Sequence, residues 1–371
     1  MNLSYWELKS WFTNVDFTII GSGIVGLNCA LQLRARFPKA KILILEKGML
    51  PQGASTKNAG FACFGSLSEL IDDLQHHSEE EVLQLVKQRI EGLQLLRDTL
   101  GDNHIDYKEL GGHELFLDAD PALYDTCMAQ RDAINKIVQS LFNASVFTLK
   151  TNPFQFRNIK ETCCFNRFEG QIDTGKMMTA LLRLTQSKNI HILNNVTVEE
   201  ITENADNVMI STSHFELTTS KVFVATNGFA SQLLKETVKP ARAQVLITKP
   251  IKGLAIKGTF HVDKGYYYFR NIDNRILLGG GRNLDFIGEE TTSFNQTRLI
   301  QHKLEDLLKN TILPGVAFEI DHRWSGIMGM GETKKPIVKQ LTNHVFCGVQ
   351  LGGMGIAIGS LVGRDLADLL D

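Results

Sequence analysis

The sequence holds no apolar run near the ~18 residues a membrane-crossing helix needs. The first stretch, MNLSYWELKSWFTNVDF, carries charges and no long apolar segment, so neither a signal peptide nor a membrane anchor is expected. Cysteine is sparse: six in 371 residues (Cys29, Cys63, Cys127, Cys163, Cys164 and Cys347), with no C-x-x-C pair and no zinc-type spacing. That excludes a disulfide framework and leaves reduced thiols of a cytoplasmic protein as the expectation. Adjacent Cys163 and Cys164 read as strand residues rather than a redox pair. A formal net charge of −2 gives no general attraction to nucleic acid or anionic membrane. Internal repeats, low-complexity segments and long linkers are also missing. What remains is ordinary globular composition, 43% hydrophobic and 22% charged, in a chain too long for one compact core. Two intertwined domains are expected.

The most informative stretch runs from Phe17 to Glu46. Phe17 to Ile20 reads as a short buried strand, and Gly21, Gly23 and Gly26 follow as G-x-G-x-x-G. Ile24 to Arg36 carries helical periodicity, and Lys41 to Leu45 is a second strand ending on Glu46. This is a complete β-α-β dinucleotide fingerprint with its acidic residue placed ~20 positions past the last glycine. Gly21 permits the tight turn, Gly23 admits a pyrophosphate, and Gly26 brings helix against strand. The helix N-terminus offers free N–H groups to phosphates, and Glu46 is placed to accept from a ribose diol.

Beyond it, Gly48 to Ser66 is rich in Gly, Ser, Asn and Ala and reads as a closely approached loop. Leu67 to Leu100 reads as helix, with apolar Leu83, Val86, Ile90, Leu93 and Leu96. Ile105 to Leu117 has strand character, and Pro121 to Leu141 and Thr174 to Gln186 read as helices. Ile190 to Ile201 alternates like strands; Asn207 to Leu217 and Lys221 to Ala225 form a small meander ending in Ala225-Thr226-Asn227, where a strand meets a cofactor. Ala241 to Phe286 is dense in strands, Thr292 to Leu313 reads as helix and Phe318 to Trp324 as strand. Finally, Gly352, Gly353 and Gly355 precede a last helix starting near Ile356. A nicotinamide domain has no need of such a late glycine turn. A flavin does, because its N1–C2=O edge turns negative on reduction and wants donors nearby.

These residues resemble a known family. The fingerprint, GASTKNAG (Gly53 to Gly60), ILLGGGR (Ile276 to Arg282), RWSGIMG (Arg323 to Gly329) with Pro336 after it, and GVQLGGMGIAIG are similar to the D-amino-acid oxidase superfamily. The similar branch holds glycine oxidase, sarcosine oxidase and gamma-glutamylputrescine oxidase. The resemblance implies an α/β fold: a Rossmann-type FAD-binding domain intertwined with an α+β substrate domain on a large antiparallel sheet. The expected division is 1–80, 145–235 and 325–371 for FAD, and 81–144 and 236–324 for substrate. The implied chemistry passes a hydride from the α-carbon of an amine or amino acid to flavin N5. Water then hydrolyses the imine, and dioxygen or another acceptor reoxidises the flavin. The alternatives are a 2-hydroxy-acid dehydrogenase, amine trimming on a modified tRNA base, and a non-catalytic flavin-binding protein.

Residue by residue, the resemblance places FAD against Gly21, Ser22, Gly23, Ile24, Val25 and Gly26, then Glu46 and Lys47. The following loop adds Ala54, Ser55, Thr56, Lys57, Asn58, Ala59 and Gly60. Val196, Val198, Ala225, Thr226 and Asn227 come from the middle of the chain, and Gly326, Gly352, Gly353, Met354, Gly355 and Ile356 from its last part. On the substrate side, Tyr266 matches the family's substrate-facing tyrosine, and strand alternation puts Tyr268 beside it. The family's proline in that strand is Phe269 here. The arginine that grips a substrate carboxylate in glycine oxidase-like sequences is replaced by Met328. Arg282 is placed to compensate; otherwise the substrate is an amine lacking a nearby carboxylate. Lys57 sits where related sequences often carry arginine. No cysteine lies between Met328 and Pro336, so the flavin is expected to be noncovalent. His113, His261, His322 and Glu332 are candidate bases, and Arg323 belongs to the flavin or to a salt bridge. No metal is expected. The oligomeric state is open.

Overall fold

Strand Val15–Ile20 is buried on both faces apart from half-buried Asp16, which suits the centre of a parallel sheet covered on both sides. It pairs in parallel with Ile42–Leu45 on one side and Glu216–Val224 on the other. His191–Leu193 and Val345–Val349 extend this parallel core outward. Val208–Thr212, Val198–Glu203 and Ile337–Gln340 add antiparallel edges, giving eight strands. Ile42, Leu43 and Ile44 are fully buried, each contributing about 1.5–3 kcal/mol relative to exposure. The computed structural model describes residues 2–370, and among these no helix is long and apolar enough to cross a membrane.

The fingerprint helix, Ile24–Arg36, packs against this sheet and the C-terminal helix Gly355–Asp368. Two glycines of the latter make the approach possible. A Cβ at Gly359 would lie 2.5 Å from Ile24 Cγ2, and one at Gly363 would lie 2.5 Å from the Val25 carbonyl oxygen. Helix Glu79–Leu100 docks on the same C-terminal helix through Gly92, where a side chain would strike the Ala357 carbonyl.

A second eight-stranded sheet runs Ile320–Met330, Lys239–Thr248, Arg275–Gly280, Tyr267–Ile272, Thr259–Val262, Gly112–Leu115, Thr162–Asn166, Phe147–Thr151. All its pairings are antiparallel except that between Thr259–Val262 and Gly112–Leu115. The expected α/β architecture with a large antiparallel sheet is therefore present. Its membership differs from the sequence division: Phe147–Thr151 and Thr162–Asn166 pair within the second sheet although 145–235 was assigned to the first domain. Strand Ile320–Met330 also runs through the boundary set at 324/325.

Several local expectations are corrected. Leu67 to Leu100 is two helices, Leu67–Asp73 and Glu79–Leu100, each opened by a capping box (Ser66 with Glu69, Ser78 with Glu81). Ile105 to Leu117 yields only strand Gly112–Leu115, after a short helical turn Asp102–Ile105. Glu216–Val224 is one continuous strand, and the helix in Thr292 to Leu313 begins only at Arg298. All six cysteines are buried and unbridged.

Candidate active site

Where the strand order reverses beside Val15–Ile20, a cavity of about 670 Å³ opens at the carboxyl ends of the parallel strands. Such switch points are where open α/β sheets bind ligands. Nearly every expected cofactor residue lines it. Gly21, Gly23, Ile24, Val25, Glu46, Lys47, Ala54, Ser55, Lys57, Asn58, Ala59 and Gly60 form one wall. Val196, Val198, Ala225, Thr226, Asn227, Gly326, Gly352, Gly353, Met354, Gly355 and Ile356 complete it. Three do not face it. Ser22 is turned inward and donates from Oγ to Glu46 at 2.7 Å. Gly26 is buried where its helix crosses the Gly21 carbonyl, and Thr56 spends its hydroxyl on the Pro51 and Gly53 carbonyls.

The cavity fits an adenine dinucleotide. Gly21 has φ +104, a conformation that L side chains rarely adopt, and a Cβ at Gly23 would meet only Ser55. The wall at the helix N-terminus is thus bare backbone. Glu46 is 6% exposed; its carboxylate is fixed by donors from Ser22 N, Ser22 Oγ, Gly48 N and Gln52 N. Thr226 Oγ1 is buried at this wall with no partner. Opposite, the turn before the C-terminal helix is held by Leu351 N donating to Asn227 Oδ1 at 3.1 Å and Gly352 N donating to the Gly329 carbonyl at 3.0 Å. Met354 caps that helix without a side-chain bond, so its N-terminus points bare donors at the cavity.

The second sheet supplies the other wall. Tyr266 and Tyr268 both line the cavity, whereas Tyr267 is 3% exposed in the opposite core, as alternation requires. Burial pushes the Tyr268 phenol up to about 12, so it stays a hydrogen-bond donor. Arg282 follows Gly281, which has φ +82, and its guanidinium lies 4.8 Å from the Phe286 ring. Burial lowers its pKa. Lys57 and Met328 line the cavity too, and the Lys57 carbonyl accepts from Trp324 Nε1 at 2.9 Å.

Of the candidate bases, only His261 reaches the cavity. His113 is buried against Phe260, and burial drops its pKa to about 4. His322 stacks on Trp324, and Glu332 lies off the wall. Arg323 pairs with Glu305 at 2.6 Å, a salt bridge rather than a cofactor contact.

At one end of the cavity the sequence singles out His261 alone. There His261 Nε2 meets Glu169 Oε2 at 2.9 Å, and Nδ1 lies 3.9 Å from Glu69. Burial favours neutral imidazole, but Glu169, Glu69 and Glu114 outweigh it and lift the pKa to about 9. Burial also pushes Glu69 upward; His261, Lys334, the Ser66 amide and Arg89 overcome that and keep it below the ordinary range. Cys63, Arg89, Asp72, Lys264 and Lys334 complete this end. The capping motif at Ser66 and the histidine were visible in sequence. The carboxylates' convergence was not, because Glu69, Glu114 and Glu169 come from distant segments.

A glycine-turn cradle on a parallel sheet, facing an aromatic antiparallel wall, defines a two-domain flavin-dependent oxidoreductase. The chain belongs to that family: residues 16–369 match the model of DAO, FAD dependent oxidoreductase. It is 25% identical to gamma-glutamylputrescine oxidoreductase from Escherichia coli (strain K12), over 96% of this chain and 83% of that protein. Among solved structures, glycine oxidase from Geobacillus kaustophilus matches with a TM-score of 0.75 at 18% identity, covering 95% of this chain and 94% of that one. L-Proline dehydrogenase from P. horikoshii matches with 0.74 at 17% identity, covering 96% and 93%. The protein is an FAD-dependent enzyme.

Proposed function

We propose that the enzyme oxidises a C–N bond of a small amine or amino acid. The observation that carries this is the Tyr266 and Tyr268 wall sharing one cavity with the glycine-turn cradle, in a chain that matches the FAD dependent oxidoreductase family. The Tyr268 phenol is held up near 12 and keeps its proton, so it orients a substrate rather than deprotonating it. A 2-hydroxy acid needs a group to take its hydroxyl proton as hydride leaves. A neutral amine needs none, since its own lone pair drives hydride departure. The compounds named for the three similar proteins each contain an amine nitrogen.

In this reading the fingerprint turn, Glu46 and the C-terminal helix hold FAD, which when bound supplies the two-electron acceptor. Tyr266 and Tyr268 orient the amine and exclude water while hydride leaves the α-carbon; water entering afterwards hydrolyses the imine to carbonyl and amine. Lys57 adds positive charge at the same wall. The two-domain division follows the sheets, with 147–166 on the substrate side. FAD is held noncovalently: Cys63 is the cavity's one cysteine, and burial pushes its thiol well up, away from nucleophilic thiolate.

Anaerobic mixing of the yellow protein with pools of amino acids, N-methyl amino acids, polyamines and 2-hydroxy acids tests this. Bleaching by an amine pool and none by hydroxy acids is the expected result. Bleaching by hydroxy acids alone would transfer the assignment to alcohol oxidation, and a flavin that no pool reduces would mean a non-catalytic protein. Acid precipitation should release all the flavin into the supernatant.

A further inference from the structure

The replacement of the family arginine by Met328 leaves open what, if anything, receives a substrate carboxylate. Four cavity-lining cations have no carboxylate within 4.0 Å among the described residues: Lys57, Arg89, Arg282 and Lys47, the last exposed beside Glu46 at the fingerprint end. The other two at this end are engaged, Lys264 with Asp72 at 3.1 Å and Lys334 with Asp73. Arg89 differs from its competitors in being almost completely removed from solvent, at 3% exposure. It lies on the buried stripe of helix Glu79–Leu100, between Val86 and Gly92, so the helix that docks at Gly92 drives it into the cavity wall.

Its hydrogen bonding is incomplete. Nη1 donates to the Phe64 carbonyl at 2.7 Å, while Nε is buried with no partner. An arginine stays protonated even here: burial opposes its charge, while Asp73 and Glu69 favour it from beyond 4.0 Å. Neither meets the idle donor, which remains a cost to the buried guanidinium until an anion does. Gly65 lets the chain pass close to the guanidinium: a Cβ there would touch Leu70 Cδ2 at 3.2 Å and Nη1 at 3.4 Å. Beside it, Cys63 Sγ lies 3.9 Å from Met354 Sδ, which ties Arg89's surroundings to the glycine turn at the cofactor end. Arg282, by contrast, is only partly buried and already rests on the Phe286 ring.

We propose that Arg89 is the carboxylate-recognising residue of this cavity, making the substrate an amine that carries a carboxylate rather than a simple polyamine. Glu69, whose Oε2 accepts from the Ser66 amide, lines the same end of the cavity. The Arg89 assignment deepens the amine-oxidation reading and rests on it for the word substrate. Carboxylate binding itself does not.

The test therefore uses acetate, which cannot be oxidised, on the FAD-loaded enzyme. Binding is followed by the flavin difference spectrum and, independently, by calorimetry. Wild type is expected to bind acetate and not acetamide. Arg89→Met should weaken acetate about thirtyfold, the loss of one charged hydrogen-bonding partner. Arg89→Lys keeps the charge, guards against a folding defect, and should fall between the two. Arg282→Met should weaken acetate less than Arg89→Met does. Wild type that ignores acetate, Arg89 variants that bind it normally while retaining FAD, or a larger loss in Arg282→Met would each overturn the assignment. An enzyme that binds acetate through Arg89 yet is reduced by no amine would sink the amine reading alone.

Discussion

Gly26→Val is expected to purify without flavin and to melt well below the wild type. A side chain at this position meets the Gly21 carbonyl oxygen head-on, with Ile19 Cγ2 3.1 Å away, so neither side can yield cheaply. Overpacking ordinarily costs about 1–3 kcal/mol, and here the obstruction is backbone, placing the change at the upper end. The helix can escape only by lifting off strand Val15–Ile20. That displaces its N-terminus from the phosphates and loosens the docking of Gly359 and Gly363. Gly53→Ala is the matched control. Gly53 has φ −69 and open space where the methyl would sit, so folding should be unchanged. Thermal unfolding and the ratio of flavin to protein absorbance read both variants. A Gly26→Val protein with full flavin and wild-type melting would refute the close-packing argument.

Glu169→Ala should cost about 3–5 kcal/mol of stability near neutral pH, as breaking a buried ion pair does. Glu169 is 1% exposed, bonded to His261 and to Thr259 Oγ1 at 2.9 Å each. A pH signature separates the pair from simple cavity creation. His261 titrates at about 9 folded against 6.5 as a free side chain, so its protonated form favours the folded state. This stabilisation is complete below 6.5 and is lost as pH rises through about 9. The shift corresponds to about 3 kcal/mol. Wild-type urea midpoints, measured at saturating FAD, should fall between pH 6.5 and 9.5. Glu169→Ala should fall much less, because only Glu69 and Glu114 remain beside the imidazole. Parallel pH profiles for the two proteins would exclude the linkage.

The cofactor half was legible because its chemistry is local: three glycines, a strand and Glu46 lie within one short stretch. The last glycine turn was legible for the same reason. Tyr266 and Tyr268 could be paired by alternation alone. Arg89 is hidden from an apolar reading of its helix at Leu83, Val86, Ile90, Leu93 and Leu96: Val86 and Leu96 are buried, but the rest of the buried stripe is Val82, Leu85, Arg89, Gly92 and Leu100. One residue of rotation hid a cation in an otherwise apolar row. The break between the two helices was also written in the sequence, as two Ser-x-x-Glu motifs twelve positions apart, at Ser66 and Ser78. Glu114 and Glu169 had no such sign. Their meeting at His261 depends on strand neighbours that no spacing rule encodes.

The docking of helix Gly355–Asp368 on the fingerprint helix has a consequence for biosynthesis. The fingerprint glycines are made well before the helix that packs against their own helix, with most of the described chain between them. Until it arrives, Ile24 and Val25 lack their glycine-faced partner, and the donors of the closing turn do not exist. A nascent chain therefore carries a recognisable nucleotide motif that cannot yet retain its nucleotide. Flavin capture waits until the segment Gly355–Asp368 has been made and docked.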